Sequence, residues 1–334
     1  MLVKVARIIL VSAALLLLFF TSWFSLEFYR PSKALPKMVI FEVTKGQAGK
    51  DIARNLKKNG IIKKTWPLLL GYKIFFSSQS LKAGEYALQL PLSAKDVLQI
   101  LTEGTVLLRP VTIPEGLIIE EIADLLESQG FAKKADIVKI SANTSFISSM
   151  DKEATSLEGY LFPETYSFAK GTTADEIVSA MISQFTQVFC EKWKHRAEEI
   201  GMSVREIVIL ASLIEKETSL PEERKLVSAV FHNRLKRGMK LDCDPTIIYV
   251  LKREGNFRDR LRTKDLKLDS PFNTYLYPGL PPGPISNPGE DSFEAALYPA
   301  DENYLYFVSK NDGSHHFSRT FREHQRAVNT YQRR

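Results

Sequence analysis

Two carboxylates two residues apart, Glu215 and Glu217, have the clearest claim to chemistry in this chain. They close the stretch Ser203 to Thr218, where Ser203 followed three residues later by Glu206 is a capping-box pattern and predicts the start of a helix. At about 100° per residue, Val204, Ile207, Val208, Ala211 and Ile214 share one face, and Glu215 falls on it. A charged, unpaired carboxylate on an apolar stripe costs several kcal/mol, so Glu215 is expected to be neutral, paired or functional. Glu217 points about 160° away, towards Leu210 and Leu213, with Lys216 on a third side. Periodicity leaves two readings of Glu215 open, a buried acid held by an Arg or by backbone donors, and a catalytic acid.

Other chemistries lack their residues. There is no G-x-x-x-x-G-K-[ST], no G-x-G-x-x-G and no H-E-x-x-H. Ser167 to Lys170 fits S-x-x-K, but its companions S-D-N and K-T-G are absent, so the match is read as coincidence. His315 and His316 are neighbours in a strand-like run, point to opposite faces and cannot chelate one ion together. Cys190 and Cys243 are the only two cysteines and have neither metal-site nor redox-motif spacing. They are read as two incidental buried thiols, with a disulfide as the alternative. No metal site or cofactor is expected.

With 334 residues the chain has room for two domains beside an anchor. Its 44% hydrophobic and 25% charged residues are ordinary for a globular protein. The net charge of +6 is dispersed over pairs such as Lys57-Lys58, Lys63-Lys64 and Lys133-Lys134. That distribution suits a solvated surface near an anionic wall or headgroups and argues against nucleic acid.

The elements that must carry the two acids are legible in order. Lys4 and Arg7 precede an uncharged run from Ile8 to Leu26, which as a helix covers roughly 28 Å, close to the hydrocarbon thickness of a bilayer. Trp23, Phe28 and Tyr29 follow where an interfacial belt belongs, and no small-x-small cleavage site does. An uncleaved single-pass anchor over residues 1–30 is therefore preferred to a signal peptide, with the basic tail cytoplasmic and the remainder outside. Residues 31–37 read as a linker.

A near-repeat follows at an offset of 70 residues. Gly46 to Ile61 carries Asp51-Ile52-Ala53, Leu56 and Gly60. Gly116 to Phe131 carries Glu121-Ile122-Ala123, Leu126 and Gly130. Each copy follows a strand-like run, Val39 to Thr44 and Leu107 to Ile113. Each reads as strand, Gly turn, amphipathic helix and Gly stop. Gly71 to Phe76, Gly84 to Leu90 and the helix-like Ala94 to Leu101 complete a small α+β module. The stretch 38–150 resembles a LysM-like carbohydrate-binding unit with its connecting repeat, and a spacer that binds nothing is the alternative.

Residues 151–334 hold the remaining polar clusters. Leu157 to Tyr166 packs Glu158, Tyr160, Glu164 and Tyr166 into a loop-like run. Ala174 to Arg196 reads as one long amphipathic helix, and Leu220 to Gly238 as another that starts at Pro221 and carries Asn233. Asp244 and Pro245 open a short helix, and Asn273 to Pro288 is a Pro-rich loop that could wall a groove. Tyr304 to Lys310 and His315 to Phe317 read as a hairpin about an Asn-Asp-Gly-Ser turn.

Five motifs in this half resemble those of the YceG-like endolytic murein transglycosylase (MltG) family. They are L-E-G-Y-L-F-P-E-T-Y from Leu157, A-S-L-I-E-K-E-T from Ala211, F-H-N-R-L from Phe231, D-P-T-I-I-Y from Asp244 and N-T-Y-L-Y-P-G-L-P-P-G from Asn273. The resemblance implies an α+β catalytic domain that cuts the MurNAc–GlcNAc bond of peptidoglycan strands. One glutamic acid protonates the leaving oxygen and then takes the proton of the MurNAc C6 hydroxyl, which closes a 1,6-anhydro ring. By family analogy Glu215 takes that role, its pKa raised by burial, with Glu217 as runner-up. Asn233 and Thr246 are expected to hydrogen-bond the sugar, and Tyr160, Tyr166, Tyr249 and Tyr275 to stack on it. Glu158, Glu217, Asp244 and Asn273 complete the expected substrate-binding set. The family's setting implies trimming of nascent strands beside the wall synthases. A glycan-binding scaffold and a two-carboxylate muramidase, with Glu158, Glu164 or Asp244 as second acid, are the alternatives.

Overall fold

The computed structural model describes residues 2–32 and 35–332 and has a mixed α+β fold that divides into two compact units. Of the expected linker, Lys33 and Ala34 lie outside the described residues. Unit 1 is Met1–Arg109 with Ala169–Gly171, and unit 2 is Pro110–Phe168 with Thr172–Arg334. The division at Arg109 falls inside the stretch 38–150.

Unit 1 opens with the apolar run as one helix, α1 (Leu2–Tyr29), whose Val3–Tyr29 part is long and apolar enough to cross a membrane. Strand β1 (Lys37–Val43), helices α2 (Gly49–Lys58) and α3 (Thr65–Phe75), strand β2 (Gly84–Leu90) and helix α4 (Ala94–Glu103) follow. The strands pair antiparallel, Lys37 opposite Leu90 and Val43 opposite Gly84. Phe41, Leu56, Leu68, Tyr86 and Leu98 build the core, and Phe24 and Phe28 of α1 join it. Gly71 to Phe76 of the expected α+β module lies almost wholly in α3. Leu68 packs inward in the core while Gly71 accepts the Phe28 ring.

Strand β3 (Leu108–Thr112), which begins before the division at Arg109, is followed in unit 2 by α5 (Ile119–Ser128) and α6 (Lys134–Ile140), and then by β4 (Thr165–Ala169), which pairs with β3. The repeat is real in three dimensions. Ile52, Ala53 and Leu56 of α2 are its buried positions, and the matching Ile122, Ala123 and Leu126 of α5 are buried together with Ile119. Gly60 (φ 71°) and Gly130 (φ 76°) end the two helices in the left-handed conformation that glycine adopts without strain.

The long helix expected over 174–196 is two, α7 (Ala174–Val188) and α8 (Glu191–Glu199). Phe189 breaks it by packing into the core against Phe185, Trp193 and Phe293. No Pro or Gly marks the break. Cys190 beside it is exposed, not buried as expected, and both cysteines are free thiols.

Helix α9 (Val204–Glu217) is the axis of unit 2. Ser203 and Glu206 form the expected capping box, and every residue from Ile207 to Ile214 is buried. Around it pack α8, α10 (Pro221–Lys236), α11 (Asp244–Arg253) and α12 (Glu290–Leu297). The hairpin β5 (Tyr306–Ser309) and β6 (His315–Ser318) pairs Ser309 with His315, and α13 (Phe321–Tyr331) closes the chain. As expected, the two hairpin histidines diverge, His315 to Glu223 and His316 to Tyr331.

Candidate active site

The last turn of α9 sends its two glutamates to different places. Glu217 lines an open groove of about 600 Å³ between α9, α10, the Asp242–Asp244 turn, the hairpin and α13. The surrounding protein, with Asp244 close by, pushes its carboxyl up to about 7, against the opposing pull of a hydrogen bond from the Cys243 thiol and the charges of His315 and Arg234. Glu217 is thus enclosed at its carboxyl and open along one side of the groove.

The groove walls are braced from beneath. Arg234 donates to the carbonyls of Leu305 (2.7 Å) and Leu241 (2.8 Å) and to Asp242 (3.1 Å), so one buried side chain ties α10 to both flanking segments. Asp242 holds a left-handed φ of 50°, which Asp tolerates better than most residues. The Arg234 guanidinium also lies 5.2 Å from the centre of the Tyr306 ring, on which His324 stacks. Across the groove Tyr275 donates to Asp244 at 2.6 Å. His315 Nδ1 lies 2.6 Å from Glu223, and Glu223 in turn accepts from Thr218, the C-cap of α9. The hairpin is thereby fixed to the turn that carries Glu217.

Glu215 faces the opposite side. Its Oε2 accepts from Ser292 Oγ at 2.7 Å and from the Gly289 amide at 3.1 Å, both at the start of α12. Its Oε1 lies 4.0 Å from Arg224 Nη2, which stands 3.5 Å from Glu115, while Arg224 Nη1 pairs with Asp291 at 2.6 Å. Burial first, then the Glu215 charge, raises the Glu115 carboxyl. Gly116 abuts this cluster with φ 76°, and a side chain there would meet Glu215 and Lys216. The apolar-face reading of Glu215 therefore holds, and what meets it is a network of donors and charges.

The remaining expected substrate contacts divide sharply. Asp244 and Tyr275 line the groove beside Glu217. Glu158 does not, being 2% exposed in the core, where it accepts from the Ile119 amide and Asn287 and its carboxyl is pushed up to about 8 by burial. Tyr160 is fully buried with its hydroxyl on Asp151. Tyr249 packs on Phe272 beneath the surface, and Tyr166 gives its hydroxyl to the Phe162 carbonyl. Thr246, buried in the first turn of α11, donates its hydroxyl to the Cys243 carbonyl. Asn273, also buried, holds its own loop through the Leu266 and Leu268 carbonyls. Asn233 spends its amide on the carbonyls of Glu302 and Tyr304, where it fixes the approach to β5. These aromatic and amide groups find hydrogen-bond partners within the protein, as buried polar groups must.

The Pro-rich loop is only partly a groove wall. Tyr275 reaches the Glu217 groove, whereas Gly279 to Pro282 border a separate cleft of about 820 Å³ with Arg205 and Ser203. The loop's end runs inward, where Asn287 accepts from the Gly159 and Leu161 amides. Sequence reasoning missed Arg234, Tyr306 and His315 as walls, and Arg224, Glu115 and Ser292 around Glu215. Arg234 lies next to Asn233 within a motif already quoted, and was the one within reach.

The groove at the end of the central helix thus brings one elevated carboxyl together with aromatic, acidic and basic side chains. The chain belongs to the YceG-like family, whose match covers residues 41–330. An endolytic murein transglycosylase of Bacillus subtilis (strain 168) is 36% identical over 312 residues, 88% of this chain and 84% of that protein. One from Streptococcus pneumoniae serotype 2 is 30% identical across 87% of this chain, which spans 58% of that longer protein. The 2.6 Å crystal structure of a yceG-like protein from Listeria monocytogenes superposes with a TM-score of 0.59 at 34% identity. The match covers 86% of this chain and 98% of that one.

Proposed function

We propose that this chain is an endolytic murein transglycosylase and that Glu217 is its acid and base. The observation that carries the reading is Glu217 in an open groove with its carboxyl raised to about 7. A group poised there can be protonated when the MurNAc–GlcNAc oxygen departs and can take a proton afterwards. In the first half, the Glu217 proton passes to the glycosidic oxygen as its bond to C1 breaks. In the second, the C6 hydroxyl oxygen bonds to C1 and its proton passes to the Glu217 carboxylate. The product ends in 1,6-anhydroMurNAc, with no water consumed. Asp244 and Tyr275 face the sugar chain, and Arg234 holds the wall they share.

A second reading keeps Glu215 as the acid, as the family analogy favoured. What supports it is Glu115, a second carboxylate beside the same guanidinium nitrogen. Two acids so placed suit a hydrolytic muramidase. Against it stands the occupation of Glu215 by Ser292 and Gly289. A non-catalytic glycan-binding scaffold would have no use for an elevated carboxyl in its groove.

The order β1, α2, α3, β2 in unit 1 supports a LysM-like module that holds glycan for the cut. Helix α1 serves as a single-pass membrane anchor with its basic end, Lys4 and Arg7, cytoplasmic and both units outside. From there the enzyme trims nascent strands beside peptidoglycan synthases.

The test is mass spectrometry of products from peptidoglycan strands treated with the full chain in detergent, wild type beside Glu217→Gln and Glu215→Gln. Internal 1,6-anhydro ends that vanish only with Glu217→Gln support the proposal. Loss with Glu215→Gln while Glu217→Gln still cuts moves the acid to Glu215. Reducing ends would mean hydrolysis, and binding without cutting would mean a scaffold.

A further inference from the structure

Unit 1 carries an apolar surface where α3 meets α1 at the edge of its core. Trp66, at the start of α3, lies against Trp23 (4.9 Å between ring centres), Phe24 (6.0 Å) and Phe20 (6.3 Å) of α1. Phe20 is seven residues before Glu27, where the uncharged run ends, and at 1.5 Å per residue that is roughly 10 Å inside the apolar stretch. Farther along α3, Phe75 packs on Phe24 and Phe28, and Gly71 admits the Phe28 ring where any side chain would collide. Yet Ile74 is 54% exposed and Phe75 52% exposed, continuous with the bare surface of α1. Helix α3 thus lies along the outer end of the span with apolar side chains still uncovered.

Apart from Lys73, which precedes Ile74 on α3, the charged groups of this surface gather near the outer end of α1. Lys64 pairs with Glu27 at 2.7 Å and stands over the Trp23 ring, and Lys95 stands over the Tyr29 ring. Arg30 and Lys63 border the same small cleft as Lys64. Aromatic rings bordered by lysines are what a headgroup layer favours, with the rings at the hydrocarbon edge and the ammonium groups among phosphates.

We propose that α3 is embedded in the bilayer alongside α1, and that unit 1 docks on anionic phospholipid through Trp66, Ile74 and Phe75 with Lys63, Lys64 and Lys95 at the headgroups. The inference rests on α1 spanning the membrane. A helix packed against the outer third of a span either enters that third or draws the span out of it, and the uncovered Ile74 and Phe75 select the first. Unit 1 is then held at the membrane surface, and a glycan strand reaches it from the side away from lipid.

The experiment uses the full chain in vesicles of phosphatidylglycerol and phosphatidylcholine, with Trp23→Phe and Trp193→Phe so that Trp66 alone emits. Lipids brominated at successive acyl positions report depth, and acrylamide reports access from water. The expected result is loss of Trp66 emission to the shallow bromine label, weak quenching by acrylamide, and a reversal of both with Ile74→Lys. If the chain floats with the vesicles while acrylamide alone quenches Trp66, the anchor stands and the embedding of α3 is wrong. If the chain does not float with them, the spanning reading fails and takes this one with it.

Discussion

Ser292 Oγ donates to Glu215 Oε2 at 2.7 Å, and this bond ties the last turn of α9 to the first turn of α12 across 77 residues of sequence. Together with the Gly289 amide it holds the backbone from which Glu217 projects into the groove. A hydrogen bond to a carboxylate in so enclosed a place is worth about 1–3 kcal/mol. Ser292→Ala is expected to lower the urea midpoint accordingly while anhydro-end formation persists. Glu217→Gln is expected to do the reverse, with stability kept and cutting lost. Equal loss of both properties in the two variants would break the division of labour between the glutamates.

The pH dependence of cutting follows from Glu217. Its carboxyl sits at about 7, so the proton needed for the leaving oxygen is lost above that value. The rate constant kcat/KM is expected to fall about tenfold per pH unit on the alkaline side. The Cys243 thiol favours the charged carboxylate by its hydrogen bond. Cys243→Ala removes that bond, so the alkaline limb is expected to move to higher pH. An unmoved limb would mean that another group sets it.

The sequence revealed the frame better than the site, for a physical reason. Capping at Ser203, the Gly stops of the repeat and the position of Glu215 on an apolar stripe are local properties of the chain, and each is present. What meets a face is not local. Ser292, Gly289 and Arg224 come to Glu215 from α10 and the start of α12, and no periodicity in α9 names them. The same holds for Tyr160, Thr246 and Asn273, polar residues in dense motifs whose partners are backbone groups and neighbouring loops. An acid on a buried stripe is noticed because it is costly, and that cost is more often met by partners than used in chemistry. Periodicity directs Glu217 towards Leu210 and Leu213, and the groove opens just beyond the helix end.

Stability should carry the signature of Glu158. Its buried carboxyl is raised from 4.5 to about 8, so the folded chain keeps a proton that the unfolded chain releases. Its contribution is full below about 4.5 and is lost as pH rises to about 8. Glu217 acts in the same direction only up to about 7. Between pH 7 and 8 the wild type is therefore expected to lose roughly 1 kcal/mol per unit in urea unfolding, and Glu158→Gln to flatten that slope. A slope unchanged in the variant would show that Glu158 is charged in the fold.

Arg234 is the brace of the groove. It is nearly buried and serves the Leu305, Lys240 and Leu241 carbonyls and the Asp242 carboxylate at once, and a lysine cannot reproduce that fork. Arg234→Lys is expected to cost about 2–4 kcal/mol, because at least one buried carbonyl loses its donor. With both walls loosened, KM for glycan strands should rise while the alkaline limb of the pH profile stays in place. A shift of that limb instead would assign Arg234 a direct part in setting the Glu217 carboxyl.

Gly71 sets how closely α3 approaches α1. No side chain fits beside the Phe28 ring, so Gly71→Val must push the two helices apart. The overlap would be relieved by exposing Phe28, now 1% exposed, at a cost of about 2–4 kcal/mol in unit 1. Because Trp66 packs on the same stretch of α1, its emission should shift to the red as the contact opens. The urea transition of unit 2, followed by Trp193 in a Trp23→Phe, Trp66→Phe background, should keep its midpoint. A common shift of both signals would mean that the two units unfold as one, and the helix pair would then be part of a larger cooperative structure.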